Sequence, residues 1–448
     1  MHYFICTIAR VVLAVVCLTL LSARPAESQG TTPRRPSGGL FGATRSDTNE
    51  TERLNFALEL AEGIDSDLPS EQGAAVVGGG WGAGGFSTLF GASSSYNHNG
   101  RRLQLAGSAS TAFKYYQRLD RLDALSHGAS LGMRLRLPKQ GHFEINEAAA
   151  YSPSYLYQLF PQVDSPTLGA SVPLNPDYRI DQTNSYSSLT RVALEFGSAL
   201  GTQLTTSGEY QVTEYEDDAS PRLETRAAGA RVSHAVSRSA SFVLGYQYRT
   251  GEFGVAGPSQ EHQTTIGVEY SPALSVSRRL NIRLNATPSW LRFPASTVGT
   301  STAGEISPYL FRLQGDARVS YPFRPNWRAA ATYSRGVQYL VGLNEPLLSD
   351  SVRAELRGLI ARRLDLAASA GYATAASALS GASQELDTYT GTVKIRYALK
   401  RSFALYSEYL YYYYDQRGQS SLAPGLPSVF EQHGVRLGLT CFIEALGR

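Results

Sequence analysis

Residues Arg279–Trp290 read R-L-N-I-R-L-N-A-T-P-S-W. Leu280, Ile282, Leu284 and Ala286 fall on one side of an extended chain, and Arg279, Asn281, Arg283 and Asn285 on the other. A side-chain period of two puts successive residues on opposite faces of a strand, here one apolar and one polar. The same alternation recurs along nearly the whole chain. Arg53–Ala61 shows it clearly, with Leu54, Phe56, Leu58 and Leu60 set against Asn55, Ala57 and Glu59.

The pattern predicts strands near 52–62, 85–96, 101–114, 125–137, 142–156, 184–197, 202–215, 222–235 and 240–252. It predicts more near 261–272, 279–291, 306–321, 327–340, 347–360, 364–376, 385–399, 402–415 and 429–443. That makes 18 strands; Gln117–Leu125 and Ala354–Leu364 also fit a helical period, and helices there would bring the number toward 16. An even number of two-faced strands describes an all-β chain, a transmembrane antiparallel up-and-down β-barrel of a bacterial outer membrane.

The links between strands support this reading. Asn97–Gly100, Pro138–Gly141, Ser198–Gly201, Pro322–Asn326, Arg362–Arg363 and Lys400–Arg401 are tight turns. Between them come the longer Gly63–Gly84, Tyr157–Thr183, Arg292–Glu305 and Gln416–Ser428. Strict alternation of periplasmic turns and extracellular loops is expected of a barrel, and not of a soluble sandwich. Pro153, Pro288 and Pro308 then fall near extracellular strand ends, where a missing N–H is tolerated. Tyr151, Tyr155, Tyr157, Tyr210, Tyr215, Tyr246, Tyr248, Trp290 and Tyr411–Tyr414 are expected at the outer rim, and Tyr96, Tyr321, Phe323 and Trp327 at the periplasmic rim.

The amino terminus gives the address. A basic Arg10, the apolar run Val11–Leu21 and the small residues around Ala26–Ser28 read as an export signal spanning 1–28. Residues 29–50, rich in Pro, Gly, Arg and Thr, read as a flexible periplasmic lead, and 51–448 as the barrel. Cleavage at Ser28 leaves Cys441 as the single cysteine, which excludes an internal disulfide and metal ligation by cysteine.

The 41 basic and 38 acidic residues nearly balance, so no nucleic-acid partner is indicated. Lysine occurs only at 114, 139, 394 and 400, and the remaining basic residues are Arg. A mean hydropathy of −0.21 is compatible with a membrane protein in which only every second residue meets lipid.

Reactive chemistry is sparse. Gly80, Gly82 and Gly85 spell G-x-G-x-x-G, but without the strand and helix that a dinucleotide needs, so a loop is expected and no cofactor. The histidines are isolated and show no metal spacing. His142 with Glu144 and His262 with Glu269 are the pairs from which a hydrolase site could be built, though no enzyme is expected.

The polar faces are more informative. Arg134, Arg136, Glu144, Arg191, Glu195, Arg283, Arg353, Arg357 and Arg396 occupy inward positions, together with Glu269, Arg279, Glu355, Lys394 and Arg436. Such charges either cross-pair and hydrate a lumen, or line a constriction that favours anionic or sugar-like solutes. The proline-bearing loop Tyr157–Thr183 is placed either to fold into the lumen or to serve attachment at the surface.

The signal, the opening strand Leu54–Leu60 followed by Gly63–Asp67, and the barrel patterning to the end resemble a family of outer-membrane β-barrel porins, some encoded with exopolysaccharide export systems. The resemblance implies an outer-membrane channel for small hydrophilic solutes or saccharides. A non-conducting scaffold for an export or secretion partner and a barrel-embedded hydrolase remain as alternatives. Expected partners are outer-membrane lipid, the barrel-assembly machinery, and a homotrimer or an export-system partner. The last strand departs from the usual aromatic ending, since Phe442 is followed by Ile443–Arg448.

Overall fold

Asn281–Arg292 forms a strand in which Leu284 and Trp290 stand exposed on one face while Asn285 donates to Asp316 from the other. Repeated round a closed ring, this arrangement gives the whole molecule. The computed structural model describes residues 38–39, 42–43, 52–66, 85–116, 123–138, 141–152, 185–198, 201–215, 222–253, 258–275, 278–292, 309–324, 326–338, 346–378, 385–417 and 429–447. Export signal, glycine-rich stretch and loop 157–183 therefore lie wholly or almost wholly outside the described residues, as do Pro153, Tyr155, Tyr157 and Pro308.

The wall consists of β1 (Glu52–Asp65), β2 (Phe86–Asn99), β3 (Leu103–Tyr116), β4 (Asp123–Leu137), β5 (Gly141–Ser152) and β6 (Ser185–Gly197). It continues with β7 (Thr202–Tyr215), β8 (Leu223–Ala235), β9 (Ala240–Phe253), β10 (Pro258–Tyr270), β11 (Asn281–Arg292) and β12 (Leu310–Arg324). It ends with β13 (Trp327–Gln338), β14 (Leu347–Ala361), β15 (Leu364–Ser377), β16 (Glu385–Ala398), β17 (Phe403–Arg417) and β18 (Val429–Gly447). Every strand pairs antiparallel with its chain neighbours, and β18 pairs with β1 to close an 18-stranded barrel. Closure leaves no unpaired edge, which is the condition for a sheet to sit in lipid.

The helical alternative at Ala354–Leu364 gives way to strand, while 117–122 of the other lie outside the described residues. Ala354–Ala361 belongs to β14, and Asp123–Leu125 opens β4. Local helical spacing loses at Ala354–Gly358 because that stretch gains a ladder on both sides.

Link lengths follow the expected alternation only in outline. Residues 271–280 lie on the turn side yet are long enough to carry a small hairpin of their own, and on the other side 254–257 is short. Arg279 belongs to that hairpin and not to the wall, so its expected inward position is corrected. The turn Ser198–Gly201 closes tightly through Gly201 N–H to Ser198 O at 3.1 Å, with Gly201 at φ +74°, a backbone region that favours glycine.

Pro288 interrupts one ladder. Pairing between β10 and β11 skips from Gln263↔Ser289 to Ile266↔Ala286, while Pro288↔Leu313 is kept with β12. The missing N–H is thus taken up on one side only.

The outer face is apolar, with Leu58, Leu131, Val192, Leu244, Leu284 and Leu437 exposed along it. Rings gather toward both ends of the strands, including Tyr186, Trp290 and Tyr389 on the long-link side and Tyr96, Tyr321 and Trp327 on the turn side, whereas Tyr246, expected at the outer rim, lies midway along β9. The run Tyr411–Tyr414 does not lie on one surface as expected. Tyr411 and Tyr413 face out, whereas Tyr412 and Tyr414 face in and are buried, because the period of two divides any consecutive run. An exterior of this kind is a surface for lipid.

Candidate functional site: the charged inner wall

Residues directly opposite in adjacent antiparallel strands share a face, so the register assigns each charge to a side. All nine expected wall residues fall on the inner face, in two groups. Arg134, Arg136, Glu144, Arg191 and Glu195 lie on β4–β6, and Arg283, Arg353, Arg357 and Arg396 on β11, β14 and β16.

In the first group Arg134 donates twice to one oxygen of Glu144, at 2.9 and 2.6 Å, and Asn146 donates to the other at 2.7 Å. Glu195 accepts from Gln203. Arg191 stands opposite Asn146 and Glu209 in the register, and Arg136 opposite His142.

In the second group Arg283 and Arg231 converge on one oxygen of Glu269, at 3.1 and 2.6 Å. Glu355 holds Arg353 at 3.1 Å and Arg357 at 3.4 Å. Arg396 grips both oxygens of Asp365.

Two further cations, Arg318 and Arg328, complete this second wall. Arg318 stands opposite Arg283, and Arg328 opposite Arg357. Neither pairs with a carboxylate among the described residues. Like charges placed directly opposite are destabilising. Arg318 was legible in principle, since Arg312, Gln314, Asp316 and Arg318 alternate along β12.

A separate network joins the two chain ends. Lys394 lies 2.9 Å from Glu59 and 3.7 Å from Glu408, and its ammonium sits 3.9 Å from the centre of the Tyr406 ring. Lys114 and Asp65, both fully buried, meet at 2.6 Å. The Lys394–Glu59 contact spans the closing seam from β16 to β1, and Lys114–Asp65 joins β3 to β1 beside it.

The lumen is drawn in on its long-link side. Gln314 on β12 donates to Glu261 on β10 at 2.5 Å and to Ser289 on β11 at 2.6 Å, while its oxygen accepts from Val337 N–H at 3.2 Å. Arg249 on β9 reaches the Val337 carbonyl on β13 at 3.4 Å, and Arg312 reaches the Ala378 carbonyl beyond β15 at 2.7 Å. The Gln314–Glu261, Arg249–Val337 and Arg312–Ala378 bonds pass over intervening strands as chords. Inward residues of this half, such as Lys114, Glu261, Ser289 and Tyr414, are buried, whereas Arg136, Arg328 and Arg357 in the turn-side half are exposed.

The histidine pairs divide. His262 faces outward, bonded to the Tyr246 hydroxyl at 2.7 Å, while Glu269 faces inward, so the two do not meet. His142 and Glu144 share the inner face of β5, but Glu144 is committed to Arg134 and Asn146. No group of three potential metal ligands occurs among the described residues.

No family profile matches the chain, and no curated protein matches its sequence. In three dimensions it is similar to Pseudomonas aeruginosa OccK2 (OpdF), at 10% identity and a TM-score of 0.45, with 88% of this chain and 98% of that one covered. Pseudomonas aeruginosa OccK11 (OpdR) aligns at 12% identity and 0.43, covering 88% and 96%. The FrpB iron transporter from Neisseria meningitidis aligns at 8% identity and 0.44, covering 87% and 82%. Likeness at this level assigns neither a family nor a cargo.

Proposed function

We propose that the chain is a channel of the bacterial outer membrane that passes small hydrophilic anions, sugar acids among them. One observation carries the proposal: Arg283 and Arg318, and again Arg328 and Arg357, face each other on neighbouring strands of the inner wall. Arg283 and Arg357 each share their carboxylate, Glu269 or Glu355, with a second arginine, so positive charge remains in surplus beside Arg318 and Arg328. Such a surplus lowers the energy of a passing anion, and guanidinium forks match carboxylate geometry. An 18-stranded barrel encloses an aqueous channel unless plugged. The chords around Gln314 and Arg249 supply a narrowing on the long-link side, and loop 157–183 is proposed to add to it.

With this reading go export through the signal at 1–28, a periplasmic lead at 29–50, and insertion by the barrel-assembly machinery. The barrel needs no cofactor for this role.

Planar bilayers provide the test. The purified full-length chain is expected to give discrete conductance steps and, under a potassium chloride gradient, a reversal potential on the chloride side. Correctly folded protein that conducts nothing overturns the channel, and selectivity for potassium overturns the anion pathway.

A further inference from the structure

The outer wall carries one charge where lipid should be. Glu147 faces outward on β5, between Leu131 of β4 and Thr190 of β6 in the register. It lies midway along β5 between Phe143 and Tyr151, one ring toward each end of the strand. Other outward charges of the described strands, such as Glu214, Arg226, Arg335 and Asp387, stand near the long-link ends, where headgroups and water are within reach.

Glu147 is supported only by neutral donors: Ser188 at 3.0 Å and Thr190 at 2.5 Å. No basic side chain pairs with it among the described residues. An ionisable group at this depth marks a functional contact by default, because hydrocarbon offers it nothing.

Beside it the wall is hollow. A groove of about 830 Å³ runs over Ala92, Ala109, Ala129 and Ala149, between Phe56 on one flank and Tyr186 on the other. A floor of alanine methyls flattens a surface that is otherwise convex, so a second convex wall can approach closely.

We infer that this face of β2–β6 is where a second copy of the chain docks within the membrane, with Glu147 as its polar anchor. Two copies inserted in the same direction are related by a two-fold axis along the membrane normal. With that axis on β4, the acceptor-bearing β5 of each copy lies against β3 of the other, which carries the outward hydroxyl of Thr111. One face thus presents an acceptor at one edge and a donor at the opposite edge, as a self-complementary contact requires. The inference rests on the membrane reading and is independent of conduction.

The test uses the full chain in its membrane, in a Cys441→Ser background. Ala129→Cys, on the axis, is oxidised with copper phenanthroline, and Ala370→Cys, outward on β15, serves as control. The expected result is a disulfide-linked species of twice the chain mass for Ala129→Cys and none for Ala370→Cys. Adding Glu147→Leu is expected to cut that species at least five-fold, whereas Glu147→Gln, which still hydrogen-bonds, keeps most of it. Equal crosslinking at both cysteines, none at Ala129→Cys, or a product of a different mass overturns the second copy. An unchanged yield with Glu147→Leu overturns the anchor.

Discussion

At the residue scale, an inward arginine and an outward leucine differ only in odd or even place, and the consequences are large. An Arg or Lys on the lipid side at mid-depth costs about 2–4 kcal/mol, so each strand's face is fixed by its own sequence. Arg318→Ala combined with Arg328→Ala should leave the barrel folded and move the reversal potential toward zero, while Glu355→Gln should move it further to the chloride side. Gly201 gives a smaller effect. Its φ is +74°, and a methyl added there would sit only 3.1 Å from the Ala235 Cβ. Gly201→Ala should therefore destabilise the barrel by roughly 1–2 kcal/mol, read as a lowered urea midpoint.

All nine inward charges expected from alternation lie on the inner wall, because parity depends on nothing but the strand. Their partners were not legible in the same way. That Glu269 serves both Arg231 and Arg283, or that Arg318 confronts Arg283, depends on register, which is set between strands and not within one. Glu147 escapes a reading of the sequence for the opposite reason. It breaks parity, and a reading built on parity places polar residues inside.

At the element scale, most strands start and stop close to where alternation does, and the departures have local causes. Arg279 continues the pattern of Asn281 and Arg283, which points it to the wall, yet Arg278–Arg279 pairs with Ala273–Ser275 in a hairpin of its own. Beside the seam between first and last strands, one ion pair ties β1 to β3. Lys114 and Asp65 are both buried, and removing one partner of such a pair costs about 3–5 kcal/mol because the other charge is stranded. Lys114→Met should therefore lower the unfolding midpoint sharply, and Lys114→Met with Asp65→Leu should recover most of the loss.

At the scale of the whole molecule, the chain is a closed cylinder with an apolar exterior, a charged interior and two arginines on one inner wall that lack a carboxylate partner among the described residues. If selectivity arises from those fixed charges, raising salt from about 0.1 M to about 1 M, where the screening length falls from roughly 10 Å to roughly 3 Å, should weaken chloride preference while conductance rises. A preference that survives 1 M salt unchanged would point to a size filter instead.

Cysteine scanning along β11 bears on the central claim most directly. With Cys441 replaced by Ser and the protein in liposomes, single cysteines at Ile282, Arg283, Leu284, Asn285 and Ala286 are exposed to a water-soluble maleimide. Labelling at 283 and 285 with protection at 282, 284 and 286 is the predicted result. Uniform labelling, or a period near 3.6 residues, would contradict it.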